Sequence, residues 1–213
     1  ERDIVVYQRA MNKADRWLRL RLNSPTLNFD SDAEFANALR RNSIVTEFVK
    51  TKTKRDSVSK KNLTLMMFND KIVTGYDVNG EPVYRSKVFE AKGYRDRIAT
   101  ALSMSMIPWL EMARRNNGFI YTSWNQVRQE KSTGHFAGTR TSRLSCSYFQ
   151  NITKDWYDKG DYVYPEWLGV PDLPLVRKYI LGDEGQLFGH RDYNQQEWRI
   201  TAHFENGPLA DEY

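Results

Sequence analysis

The chain has 213 residues with a formal net charge of +5, and 40% of its residues are hydrophobic. That apolar fraction is enough for a buried core and excludes a disordered tail, while the lack of an apolar run of about 18 residues excludes a membrane span. Cys146 is the single cysteine, so an internal disulfide is excluded and a reducing cytoplasm is the expected location.

Two helices are predicted in the first fifth of the chain. Apolar residues recur at helical spacing and predict an amphipathic first helix: Tyr7, Met11, Ala14 and Leu18. The Asn-Ser-Pro sequence at 23–25 ends this helix. Ser31 or Asp32 then caps a second helix over residues 33–41. The predicted buried face of the second helix consists of Phe35, Ala38 and Leu39.

The segment from Lys50 to Lys61 is strongly basic and contains one acidic residue, Asp56. Its six cationic residues are Lys50, Lys52, Lys54, Arg55, Lys60 and Lys61. One interpretation is a solvated surface loop. The other is a phosphate-contacting tip, because each neutralised phosphate releases counterions and adds affinity that does not depend on base sequence. The net charge favours a polyanionic partner, but composition does not separate the two interpretations.

The middle of the chain combines a hairpin with a long helix. Residues 71–88 alternate around Asn79-Gly80, which predicts a β-hairpin. Residues 94–117 predict a helix that is interrupted at Pro108 and closed by Gly118.

The rest of the chain is predicted to be mostly extended. Residues 119–124, 175–181 and 186–193 have strand composition, and the Gly-, Ser- and Thr-rich stretch 132–147 predicts loop or extended backbone. A last helix is predicted to begin near Gln195. Because the helices come first and the strands later, the predicted fold class is α+β with segregated layers.

Asp192 and Glu197 are the candidate catalytic residues. A strand that ends at Asp192 and turns into a helix places Glu197 about one helical turn further on. A carboxylate beside a free backbone carbonyl is a suitable half-site for Mg²⁺, which prefers oxygen ligands and takes others from substrate phosphates. The alternative is an ordinary strand–turn–helix in which Asp192 caps the helix, and a single aspartate by itself favours this alternative.

Residues 192–203 resemble motif A of the family A (polymerase I-like) DNA polymerases, whose pattern is D-Y-S-Q-I-E-L-R-x-x-A-H. The positions that match in register are Asp192, Tyr193, Gln195, Glu197, Arg199, Ala202 and His203.

Further segments are similar to elements of the same family and occur in the same order. Residues 27–31 and 50–53 resemble the thumb elements F-N-x-N-S and K-T-K-T-G. Residues 118–126 resemble G-R-I-H-T-x-F-N-Q, and residues 141–152 resemble T-G-R-L-S…Q-N-I-P. Any one match could arise by chance, but the collinear set argues against chance, and the resemblance spans nearly the whole chain.

The resemblance implies an incomplete right-hand polymerase fold of the α+β class. Residues 1–117 would form a helical thumb with an inserted hairpin around 71–88. Residues 118–213 would form the N-terminal part of an antiparallel-sheet palm, ending after motif A. The family's fingers helix and second metal-binding aspartate do not occur in the sequence, so we expect a fragment or one subunit of a split enzyme that does not polymerise alone.

The implied activity is template-directed deoxynucleotidyl transfer by a DNA-directed DNA polymerase. Asp192 would bind both Mg²⁺ ions of the complete enzyme, with the carbonyl of Tyr193 as a further ligand. Glu197 would be the steric gate, whose carboxylate occupies the space that a ribose 2′-hydroxyl needs. The implied nucleotide-binding residues are Tyr193, Gln195, Gln196 and Glu197.

The implied partners are primer–template DNA, deoxynucleoside triphosphates and the complementary C-terminal polymerase portion, with no membrane. Minor-groove acceptors are present in every base pair, so donors there sense pairing without reading sequence. The implied minor-groove residues are Arg143, Gln150, Asn151, Asn125 and Gln126. The implied phosphate contacts of the thumb tip are Lys50, Lys52, Lys54, Arg55, Lys60 and Lys61.

Departures from the family pattern indicate a divergent, phage-type branch. Gln196 replaces the usual Ile, Ser142 replaces the usual Gly, and the spacing from Ser145 to Gln150 is shorter than usual. The expected location is then a bacterial or phage-infected host cytoplasm. The departures leave open a non-catalytic duplex-DNA-binding module derived from a polymerase. A single-subunit RNA polymerase is disfavoured, because an enzyme that accepts ribose should not keep the Glu197 carboxylate.

Overall fold

The structure is a computed structural model, and it describes residues 1–76, 78–125, 129–130, 136–137, 145–146, 149, 152, 164–187, 189, 196–205 and 207. Helices and short antiparallel strand pairs make this part of the chain an α+β structure. The chain divides into two compact units, residues 1–179 and residues 180–213. None of the helices in the described ranges is long and apolar enough to cross a membrane.

Two helices form the centre of the first unit. Helix α1 spans Arg2–Arg21 and helix α4 spans Lys87–Ala101, and they pack along their length. Asp15 in the second half of α1 pairs with Arg95 near the middle of α4, while Arg21 at the end of α1 pairs with Asp70, which also accepts from the hydroxyl of Ser86 just before α4. The two helices are therefore antiparallel.

The core lies between these helices. Small residues on α1 allow close approach of large ones on α4, since Ala10 and Ala14 are buried together with Tyr94 and Ile98. The periodic apolar residues that predict α1 lie partly in this core: Ala14 and Leu18 are buried, whereas Tyr7 and Met11 are half-buried. The predicted first helix is confirmed.

Helix α2 spans Asp32–Arg41 and begins as the sequence predicts. The Ser31 hydroxyl accepts a hydrogen bond from the amide of Glu34 at 3.3 Å, which satisfies an otherwise unpaired donor of the first turn. Its predicted buried face is confirmed: Phe35, Ala38 and Leu39. The Asn42 side chain donates to the carbonyl of Leu22 at 2.8 Å and so connects the end of α2 to the end of α1.

A short helix and a hairpin follow. Helix α3 spans Lys60–Leu65, and strands β1 (Ile72–Tyr76) and β2 (Pro82–Arg85) pair antiparallel with Tyr76 opposite Pro82. The turn between the strands contains Gly80 with a φ of 82°, which favours glycine. The hairpin predicted around Asn79-Gly80 is confirmed.

The long helix is correctly predicted in type but not in its start. Helix α4 begins at Lys87, where the Ser86 hydroxyl accepts from the amide of Phe89. One π-helical segment, Leu102–Met106, separates α4 from helix α5, Ile107–Arg115. Pro108 cannot donate to the preceding turn, and a widened turn accommodates that missing hydrogen bond. Gly118 closes the helix with a φ of 93°, and its amide donates to the carbonyl of Ala113.

Several predicted strands are absent or shorter than expected in the described residues. Strand β3 is only Trp124–Asn125, and it pairs with strand β6, Ser145–Cys146. Strands β4 (Gln129–Glu130) and β5 (Phe136–Ala137) form another antiparallel pair. The predicted strand at 119–124 is therefore wrong over 119–123.

Residues 164–179 lie along the α1–α4 pair and overturn the strand predicted at 175–181. Lys13 donates to the carbonyl of Gly169 at 2.9 Å, and the hydroxyl of buried Tyr94 donates to the carbonyl of Pro171 at 2.6 Å. Burial raises the pKa of Tyr94, so the hydroxyl keeps its proton as a donor. Close packing against helices favours a 3₁₀ turn, Val176–Tyr179, over a strand that would need a sheet partner.

The second unit contains the last helix. Helix α6 spans Gln196–Glu205 and confirms the helix predicted near Gln195. Among the described residues of this unit, only Ala202 is buried, whereas Trp198 and Phe204 are 57% and 82% exposed. Of the strand predicted at 186–193, Gln186, Leu187 and Gly189 have no regular structure, and the other positions lie outside the described residues.

Candidate nucleic-acid interface

The basic segment forms a closed turn in the first unit. Lys50 and Asp56 face each other in an antiparallel bridge, and the amide of Ser57 donates to the carbonyl of Val49 at 2.8 Å. Inside this bridge the amide of Thr51 donates to the carbonyl of Arg55 at 2.8 Å. The segment is therefore an ordered turn rather than an unconstrained loop.

Asp56 forms ion pairs with two nearby cations. Its carboxylate accepts from the Lys50 ammonium at 2.5 Å and from the Arg40 guanidinium at 2.9 Å. These hydrogen bonds, from Lys50 first and Arg40 second, hold the pKa of Asp56 below its usual value. The Arg40 guanidinium also lies 4.9 Å from the centroid of the Phe48 ring. The one acidic residue of the segment is thus already neutralised within the protein.

The remaining cations of the turn face solvent. Lys52, Lys54 and Arg55 are exposed, and no acidic side chain in the described part of the chain forms an ion pair with them. The backbone of Lys60 and Lys61 forms the first turn of α3. Three adjacent exposed cations, without neutralising partners among the described residues, form a surface that suits phosphate.

The residues predicted for catalysis and for the minor groove are only partly within the described structure. Asn125 lies in β3, opposite Ser145, while Gln196 and Glu197 are the first two residues of α6. The other predicted residues lie outside the described residues: Asp192, Tyr193, Gln195, Arg143, Gln150, Asn151 and Gln126. The structure therefore tests neither the metal half-site nor the minor-groove set.

The atoms of the predicted metal ligands are of a type that binds Mg²⁺. The predicted donors, the carboxylate of Asp192 and the carbonyl of Tyr193, are oxygen atoms of the kind that this ion prefers. Within the described residues, no group of three or more His, Cys, Asp or Glu side chains could hold a metal ion. The single predicted carboxylate, Asp192, would therefore supply only part of a two-ion site. Binding both Mg²⁺ ions would need further carboxylates from elsewhere.

Two residues that hold the turn in place, Arg40 and Thr51, were not among the site residues predicted from the sequence. Arg40 comes from α2 and reaches Asp56 across 16 positions, which no local pattern reveals. Thr51 accepts from the amide of Arg55 through its hydroxyl at 3.1 Å. The isolated position of Asp56 within a basic run was the available signal, because a lone carboxylate among cations is expected to pair.

A separate cavity of about 330 Å³ lies between the start of α1 and helix α5. Its lining includes Ile4, Met106 and Trp109, and the indole nitrogen of Trp109 is buried without a hydrogen-bond partner among the described residues. No residue of the predicted sites lines this cavity. The basic turn is therefore the candidate interface, because it contains residues that were predicted to bind DNA and that the structure describes as exposed.

Comparison with known proteins gave no match to a family model, to a curated protein or to a solved structure. The functional assignment accordingly depends on the sequence motifs and on the described geometry.

Proposed function

We propose that the chain is part of a DNA-directed DNA polymerase of family A, carrying the thumb and the first part of the palm. The observation that carries the proposal is the collinear set of motifs, above all the segment from Asp192 to His203. Catalysis would need the complementary C-terminal portion with the fingers and the second metal-binding aspartate. The division at residues 117 and 118 and the cytoplasmic setting belong to this proposal.

The described geometry supports the thumb assignment. Within residues 1–117 the described structure is mainly helical, α1 and α4 are antiparallel, and the segment between α2 and α3 contains the basic turn. A helical element with exposed cations suits a duplex held by its phosphates, since such contacts position DNA without reading sequence. Lys52, Lys54 and Arg55 are the residues that support this interpretation most directly.

The palm assignment depends on motif A. Helix α6 includes Glu197, Arg199, Ala202 and His203, which match the helical half of the motif. In the proposal, Asp192 and the Tyr193 carbonyl would hold Mg²⁺, and the ion would supply activation of a primer hydroxyl and stabilisation of the leaving pyrophosphate. In the same proposal, Glu197 would exclude a ribose 2′-hydroxyl, and Gln195 and Gln196 would contact the incoming nucleotide.

Exposed apolar residues on α6 support the need for a complementary portion. Trp198, Ile200 and Phe204 are exposed, although large apolar side chains on one short helix are usually covered. In a complete palm this helix would pack against further structure.

Primer extension tests the proposal. The parent protein, or the chain mixed with the polypeptide that supplies the fingers, should extend a labelled primer in the presence of Mg²⁺ and deoxynucleotides, and the chain alone should not. A lack of extension in every mixture would contradict the polymerase assignment.

A second candidate is a non-catalytic duplex-DNA-binding module, which the exposed cations of the basic turn favour in their own right. It predicts that affinity for duplex DNA, measured in EDTA, is the same with and without the complementary portion. It also predicts no extension in any mixture, which separates it from the polymerase.

A further inference from the structure

We propose that the cations around the basic turn have two different roles. Lys52, Lys54 and Arg55 contact DNA phosphates, whereas Lys50 and Arg40 pair with Asp56 and position the turn. This inference rests on the proposed function, because it takes duplex DNA as the partner. The sequence alone predicts the same role, phosphate contact, for Lys50 and for Lys52, Lys54 and Arg55.

Asp56 already pairs with Lys50 and Arg40 within the protein. Two cations share its carboxylate, at 2.5 Å and 2.9 Å, and the same residue pairs with Lys50 through the backbone. An isolated exposed ion pair contributes little, but here the side-chain pairs and the backbone bridge close the same loop. A phosphate that recruited Lys50 would have to break this arrangement, whereas one that binds Lys52 would not.

The backbone at the tip of the turn is held in a conformation that exposes the remaining cations. Lys54 has a φ of 61°, a left-handed conformation that is strained for a residue other than glycine. Thr51 holds this conformation, because its carbonyl accepts from the amide of Lys54 at 2.9 Å and its hydroxyl accepts from the amide of Arg55 at 3.1 Å. Thr51 is therefore a positioning residue for the exposed cations, although it has no charge.

The salt dependence of binding distinguishes the two roles. Each phosphate that a cation neutralises adds about 0.9 to the slope of log affinity against log salt concentration. A cation held by Asp56 neutralises no phosphate, so its removal should leave the slope nearly unchanged. The loss of net charge is the same in both cases.

The experiment compares Lys50→Ala with Lys52→Ala in the 213-residue chain. Fluorescence anisotropy with a short labelled DNA duplex is measured in EDTA over a series of KCl concentrations. We expect Lys52→Ala, Lys54→Ala and Arg55→Ala each to lower the slope by about 0.9, and Lys50→Ala to lower it by much less. Equal slopes for Lys50→Ala and Lys52→Ala would overturn the division.

A charge-neutral pair tests the positioning role of Thr51. Thr51→Val removes the hydroxyl at nearly constant volume and should lower both affinity and slope, while Thr51→Ser should restore them. Unchanged binding by Thr51→Val would overturn that role. Thermal melting of each variant checks that the fold is kept.

The outcomes also separate this inference from the proposed function. Wild-type protein that shows no salt-dependent binding to duplex DNA contradicts both. Wild-type binding together with equal effects of Lys50→Ala and Lys52→Ala contradicts the division alone.

Discussion

Arg95 is a charged residue inside the first unit, where it is 8% exposed. Its guanidinium pairs with Asp15 at 3.2 Å and with Asp30 at 2.5 Å, and lies 5.7 Å from the centroid of the Phe29 ring. These contacts join α4 to α1 and to the segment before α2. Because Asp15 is also buried, removal of the guanidinium leaves a carboxylate without its partner.

We therefore expect Arg95→Met to lower the free energy of unfolding by about 3 kcal/mol, as measured by urea denaturation. Arg114→Met is the matched control, because Arg114 pairs with Glu1 and both side chains are mostly exposed. Its expected cost is below about 1 kcal/mol. Equal costs for the two variants would contradict a structural role of the buried pair.

Asp30 gives the same cluster a pH dependence. Its hydrogen bond with Arg95 lowers the pKa of Asp30 below the usual value, more than desolvation raises it. A folded-state pKa that is depressed gives stability that is present above the unfolded pKa of about 3.9 and lost as the pH falls through the folded pKa. The effect is small, because the side chain is 72% exposed and solvent screens it.

Asp30→Asn should consequently weaken the loss of stability between about pH 5 and pH 2. Urea denaturation at a series of pH values measures this dependence. An acid limb that is unchanged in Asp30→Asn would show that the pair with Arg95 does not contribute.

Glu197 carries the proposed preference for deoxynucleotides. Glu197→Ala should raise ribonucleotide incorporation by about tenfold or more, which corresponds to a loss of about 1.4 kcal/mol of discrimination. Primer extension with ribonucleotides by the complete enzyme measures it. Glu184→Ala, at an exposed turn position of the same unit, is the control, and unchanged sugar selection by Glu197→Ala would exclude the steric gate.

At the scale of elements, the segment 164–179 depends on α4 for its position. Tyr94 is fully buried and donates to Pro171, whereas Tyr179 is 39% exposed and donates to Asp3 at 2.7 Å. Tyr94→Phe removes the hydrogen bond to the partly buried carbonyl of Pro171 and should cost about 1 kcal/mol, and Tyr179→Phe should cost less. Urea denaturation compares the free energies of unfolding of the two variants. Limited proteolysis measures how readily residues 164–179 are cleaved in each. A larger loss in Tyr179→Phe would contradict this order.

The elements that the sequence predicts correctly are those with local signals. Ser31 caps α2 and Asn79-Gly80 turns the hairpin, and both effects act within a few residues. The 3₁₀ turn at Val176–Tyr179 was missed, because its contacts are with a distant element: Tyr179 donates to Asp3 of α1. The candidate interface was only partly predicted for the same reason. Its cations can be identified from the sequence, but the pairing of Asp56 with Arg40 depends on contact between separate elements.

At the scale of the whole molecule, the two units differ in how much core they have. Residues 1–179 bury many apolar side chains, including those of α1, α2 and α4, and in the described residues of 180–213 only Ala202 is buried. The core of the first unit includes buried residues of 164–179, which lie on the palm side of the proposed boundary at residues 117 and 118.

The proposed metal-binding role of the Asp192 carboxylate is tested by the Mg²⁺-dependent rate of primer extension by the complete enzyme. Asp183→Ala is the matched control, because Asp183 is an exposed turn residue of the same unit. We expect Asp192→Ala to reduce the rate by at least about a thousandfold, equivalent to about 4 kcal/mol, while Asp183→Ala keeps the wild-type rate. An undiminished rate in Asp192→Ala would contradict the polymerase assignment.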